Sequence, residues 1–111
     1  MKSLFVGALA LSLSAPAFAG ASNFTLVNGA GGGLAELSIR RAGTQDWKPL
    51  GAAPADGAQG SVTFKDPDCA FDLRANVSGT PVTWAGVNLC DVKSVTLKRD
   101  PSAGAWVDYD Q

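Results

Sequence analysis

Two cysteines, two groups of carboxylates and three tryptophans are the parts of this 111-residue chain best suited to chemistry. Cys69 and Cys90 stand at equal distances from a Ser78-Gly79-Thr80-Pro81 turn signal. Folded at that turn, residues pair so that their numbers sum to 159: Val77 faces Val82, Ala75 faces Trp84, and Cys69 faces Cys90. A disulfide needs such opposition, because its two Cα atoms must lie within roughly 4.4–6.8 Å. Redox-active dithiols usually sit two residues apart at a helix start, where one thiol pKa is lowered. These cysteines are far apart and on strands, so they read as a structural bond across one hairpin. In the loop-entropy picture, closing a loop of this size stabilises the fold by about 3 kcal/mol.

The carboxylates suggest two other chemistries. Asp66, Asp68 and Asp72 surround Cys69 in the segment DPDCAFD. Oxygen ligands on a turn are what Ca²⁺ takes. The spacing follows no calcium loop, and Asp72 belongs on an outward strand face, so turn formation is the plainer reading. Asp108 and Asp110 flank Tyr109 and share one face of a strand, which invites general acid/base work. Charged residues at those positions also serve a plain purpose, discouraging pairing at a sheet edge. The chain has no histidine. That removes Ser-His-Asp and Cys-His nucleophiles and nearly all zinc sites. Gly29 to Gly33 lacks the Gly-Lys-Ser/Thr ending of a phosphate loop and reads as a turn. The sequence therefore implies no cofactor and no metal site.

Three tryptophans complete the set. Trp84 is expected in the core over the disulfide. Trp47 and Trp106, together with Tyr109, form a possible binding surface if they are exposed on one face.

The elements that must hold these residues begin with an export signal. Lys2 is followed by an apolar run, Leu4 to Leu13, then Pro16 and Ala17-Phe18-Ala19. This reads as a signal peptide over residues 1–19, cleaved after Ala19 or, by the same small-residue rule, after Ala21. The run is too short to span a bilayer core of about 30 Å. The remainder, 20–111, is expected to be one domain. Loss of Lys2 leaves eight basic and ten acidic side chains. A weakly acidic domain with scattered cations has no electrostatic reason to bind nucleic acid or a membrane surface.

Past the signal, apolar residues recur with period two between Gly, Pro, Asn and Asp, the pattern of antiparallel strands. Leu34 to Arg41 places Ala35, Leu37 and Ile39 on one face; Ala70 to Val77 places Phe71, Leu73, Ala75 and Val77 on one face. Strict alternation after Trp84 would bury Gly86 and Asn88 and expose Val87 and Leu89, so an irregularity near Gly86 is expected. The fold class is all-β: an antiparallel β-sandwich of about seven strands with one hairpin disulfide.

The segments Phe24-Thr25-Leu26-Val27-Asn28, Cys69-Ala70-Phe71-Asp72-Leu73, Gly86-Val87-Asn88-Leu89-Cys90 and Val95-Thr96-Leu97 give the chain a further reading. It resembles a family of small exported bacterial β proteins of unknown function. Relatives sometimes carry the label argininosuccinate lyase, a much larger helical tetramer that nothing in this chain matches. The resemblance implies no site residues.

These observations favour a non-catalytic, periplasmic or secreted binding module whose partner is a protein or glycan of the cell envelope. An envelope inhibitor of a hydrolase is one concrete form. The alternatives are a structural subunit that assembles by strand addition and a hydrolase running on Asp108 and Asp110 or on Asp66 and Asp68.

Overall fold

Alternating apolar side chains build eight strands in the computed structural model, which describes residues 20–51 and 53–111. They are β1 (Phe24–Gly29), β2 (Leu34–Arg41), β3 (Lys48–Pro49), β4 (Gln59–Val62), β5 (Ala70–Val77), β6 (Thr80–Asn88), β7 (Ser94–Asp100) and β8 (Gly104–Asp110). The expected signal peptide lies outside the described residues. The strands form two four-stranded sheets, ordered β4-β1-β7-β8 and β3-β2-β5-β6. Their apolar faces meet in one core of residues such as Phe24, Leu26, Phe71, Leu73, Val95 and Leu97. The β-sandwich read from the sequence is thus present, with one difference. β1 pairs with β7 in parallel, while the other ladders are antiparallel. A period-two pattern marks which side chains are buried and carries no information about strand direction.

Two bulges adjust the faces. In β2 the register shifts between Ala35 and Ser38, and Glu36 takes a left-handed conformation (φ 55°). The shift turns Ala35 to solvent, so the inward set is Leu34, Leu37 and Ile39 instead of Ala35, Leu37 and Ile39. In β6 the expected irregularity occurs at Gly86 (φ 67°), where Ala85 and Gly86 together oppose Asp72. The extra residue carries Val87 and Leu89 into the core.

The hairpin itself is tighter than the sum-to-159 pairing. Val77 pairs with Thr80 around Ser78-Gly79, both left-handed (φ 50° and 85°), as a two-residue turn of type I′ requires. Pro81 then faces Asn76, at a position between ladder hydrogen bonds, where its missing N–H is not needed. Beyond the Gly86 bulge the register slips by one residue. Cys69 and Cys90, just outside the two strands, still meet with Cα atoms 5.1 Å apart and are disulfide-bonded.

One side of the sandwich is laced together. The Trp84 indole Nε1–H donates to the Lys98 carbonyl on β7 (2.8 Å), and the Asn88 N–H donates to the Tyr109 hydroxyl on β8 (2.9 Å). Trp84 is core, as expected, but does not lie over the disulfide. It stands opposite Leu73, four residues from Cys69, or about 13 Å along the strand. A second lacing point is Asn28, with no exposed surface. Its side-chain amide donates to the Gly32 and Pro54 carbonyls (2.8 and 3.0 Å) and its Oδ1 accepts from the Ala30 N–H.

The hairpin position of the disulfide sets its expected effect. Replacing Cys69 and Cys90 together with serine should lower unfolding stability by about 3 kcal/mol in denaturant titrations.

Candidate functional site

The outer face of the β3-β2-β5-β6 sheet carries the most organised group of polar side chains. It begins with Asp72, which points outward from β5 yet is only 6 % exposed. One oxygen accepts the Gly86 N–H (3.0 Å) and the other accepts Arg40 Nε (2.8 Å). The Gly86 N–H, freed by the bulge, is the main cause of a carboxyl pKa below its ordinary value. Burial opposes that shift, and Arg40 reinforces it.

Arg40, so anchored, lies against the half-buried Trp47 ring with its guanidinium carbon 4.5 Å from the ring centroid. Arg74 approaches the same ring at 4.0 Å. Both distances are within cation–π range. Ser38, on β2, pairs directly with Arg74, so Arg40 and Arg74 are diagonal neighbours over which one indole can sit. Arg40 is engaged by Asp72. Arg74 is exposed, and its five N–H donors have no hydrogen-bond or ion-pair partner among the described residues.

Beside this stack, a cleft opens between the β2–β3 connection and the β4–β5 connection. Its floor includes Phe64 and Phe71, and its rim Arg41, Lys48, Asp46 and Asp66. The two phenylalanines meet edge to face at 5.3 Å. At about 240 Å³ the cleft is smaller than the roughly 300–1,000 Å³ of typical ligand pockets. It suits one side chain or one sugar ring.

The structure spreads the residues singled out in the sequence. Asp66 and Asp68 both contact Arg41 Nε at 3.2 Å, and Asp66 Oδ1 accepts the Asp68 N–H in a tight turn. Burial raises the Asp66 pKa, but the Asp68 N–H and Arg41 outweigh it and hold the carboxyl below its ordinary value. Asp72 belongs to Arg40 instead, so the three carboxylates do not converge. Asp108 and Asp110 lie on β8, opposite Thr96 and Ser94. Trp106, 42 % exposed, is on the outer face of the other sheet from Trp47, opposite Lys98. Tyr109 is at the β6–β8 corner with its hydroxyl occupied. Trp47, Trp106 and Tyr109 therefore do not share one face: the core lies between the first two. Spacing marks Asp72 only as a candidate ion ligand beside Asp66 and Asp68, and gives Arg40 and Arg74 no binding role. Their outward positions were legible from alternation, but only the β2–β5 register brings them together.

No protein-family model and no curated protein matches this chain. Among solved structures, it is similar to an NMR structure of a protein from Eubacterium rectale. The TM-score is 0.54 at 12 % identity, over 88 % of this chain and 96 % of that one. The likeness is one of fold.

Asp72 supplies a pH signature. Its lowered folded-state pKa adds stability above the unfolded value near 3.9, and that stability is lost as pH falls through the folded value. Asp72→Asn should cost about 1–3 kcal/mol at pH 7. Its thermal midpoint should also fall less than the wild-type midpoint between pH 5 and about pH 2, measured by circular dichroism.

Proposed function

We propose that this protein is an exported, non-catalytic binding module that uses the outer face of the β3-β2-β5-β6 sheet to hold a protein partner of the cell envelope. The observation that carries this reading is the Arg40–Trp47–Arg74 stack. It holds a large aromatic ring at the surface and leaves one positioned guanidinium unpaired. Trp and Arg are the residue types that most often anchor protein interfaces. A rigid, stacked guanidinium also loses little entropy on meeting a carboxylate. The partner is therefore expected to present an acidic side chain to Arg74 and a single side chain to the adjoining cleft. An envelope hydrolase inhibited by this contact is the concrete form. The disulfide is compatible with an oxidising, exported location, and the resemblance to small exported β proteins points the same way.

Affinity capture from envelope extract, compared between wild type, Trp47→Ala and Arg74→Ala, tests the reading. One dominant partner should be retained by wild type and weakened at least 30-fold in each variant, since anchor truncations cost about 2 kcal/mol or more. Equal capture by all three would refute it, and a glycan partner would show as retention on envelope polysaccharide instead.

A second reading rests on the sheet edges. β3 is two residues long and ends in Pro49, β6 carries Pro81 and a bulge, and β8 carries Asp108 and Asp110. β4 alone among the edge strands has neither charge nor proline. Such protections keep edges from pairing, so β4 is where a strand from another molecule would add, as in a structural subunit. Sedimentation at rising concentration should then show association that Ser61→Pro abolishes; a monomer throughout excludes it.

A further inference from the structure

Gly20 and Ala21 are built into the fold. Ala21 has no exposed surface. Its N–H donates to the carbonyls of Asp66 (2.7 Å) and Asp68 (3.2 Å), and the Asp66 N–H donates back to the Ala21 carbonyl (3.1 Å). The two residues form an isolated antiparallel bridge. Gly20 lies so close to the next turn that a Cβ on it would stand 2.6 Å from the Pro67 Cα, so no side chain fits there.

The small-residue rule allows export cleavage after either Ala19 or Ala21. The two cuts have different consequences for the folded chain. Cleavage after Ala21 removes the bridge, leaves the Asp66 N–H without its acceptor and empties a buried methyl site. Cleavage after Ala19 keeps all of it. Hydrolysis of the Ala19–Gly20 bond takes one water: its hydroxyl joins the Ala19 carbonyl carbon and its proton the Gly20 nitrogen. At neutral pH the products are a carboxylate on Ala19 and an ammonium on Gly20.

That ammonium arises beside a turn that carries two carboxylates. Asp66 and Asp68 share a single guanidinium, Arg41 Nε, at 3.2 Å from each. Asp46, from the β2–β3 connection, and Lys48, at the start of β3, bear on the same cluster. We propose that the mature chain begins at Gly20 and that its α-ammonium is a second counter-ion of the Arg41–Asp66–Asp68 cluster. The precursor has a neutral amide at that nitrogen, so removal of the leader completes the cluster. This inference shares with the proposed function only the premise of export.

The test uses the full-length precursor, expressed in a bacterial host and recovered after export. Intact-mass measurement and N-terminal sequencing should give a chain starting at Gly20; a start at Ser22, or a retained leader, would overturn the inference. In the same protein, an NMR titration should place the Gly20 amine above the ordinary range of about 7.7–8.0. Asp68→Asn, at an exposed side chain, should bring it back toward that range. An amine at or below the ordinary range in wild type, or one unmoved by Asp68→Asn, would show that the ammonium is not part of the cluster. Loss of the binding partner in Trp47→Ala would leave all these readouts unchanged.

Discussion

The bond from the Asp72 carboxylate to the Gly86 N–H is the constraint on which much of this structure depends. A bulge leaves a backbone donor outside the ladder, and an unmet donor is costly where water is scarce. Asp72 meets it from the opposite strand and so holds the extra residue in place. The consequences run in two directions. Along β6, the shifted register buries Val87 and Leu89 and brings Cys90 to Cys69. Across the sheet, the other oxygen of the same carboxylate fixes Arg40, and Arg40 supports Trp47. One side chain thus couples the geometry of the disulfide hairpin to the surface proposed to bind.

The two edges of the sandwich are treated differently. On the β6–β8 side, Trp84 and Tyr109 each spend their polar atom on the opposite sheet, and the gap is closed. On the β3–β4 side the strands are short and the connections long, and the cleft with Phe64 and Phe71 at its floor opens there. The candidate binding face adjoins the open side. The closed side supplies the rigid scaffold that a binding surface on the other side needs.

Much of this was legible in the sequence because it is local. The period-two runs, the Cys69–Cys90 opposition and the trouble at Gly86 each follow from spacing along the chain. What was hidden depends on register between distant strands. Ala35 turned outward because Glu36 accepts a left-handed conformation, and nothing in the pattern LAELSIRR announces a bulge. The hairpin closed two residues earlier than the symmetric pairing because Ser78-Gly79 takes the type I′ geometry, which also frees Pro81 from any ladder bond. The candidate surface is legible only in its aromatic member, Trp47, for the same reason. Arg40, Trp47, Asp72 and Arg74 come from three segments, and only folded β2 and β5 set them side by side. Aromatic character alone groups Trp47 with Trp106 and Tyr109, yet it does not place residues on one face.

Asn28 bears on how this protein ages. Asn-Gly is the sequence in which a side-chain amide is most readily lost, because the following glycine nitrogen can reach the Asn carbonyl carbon. Here the amide is buried, its nitrogen is held by two carbonyls and its oxygen by the Ala30 N–H, so the ring-closing approach is blocked while the fold is intact. If the fold opens there and the amide becomes aspartate, a carboxylate replaces the NH₂ group facing the Gly32 and Pro54 carbonyls. Oxygen then meets oxygen, in a site without solvent. Pro54 would lose its side-chain tie to β1, leaving the connection before β4 held there by the backbone bonds of Asn28 to Gly57 and Ala58. Chemical damage at this one position would therefore be recorded as a permanent loosening of the molecule's open side.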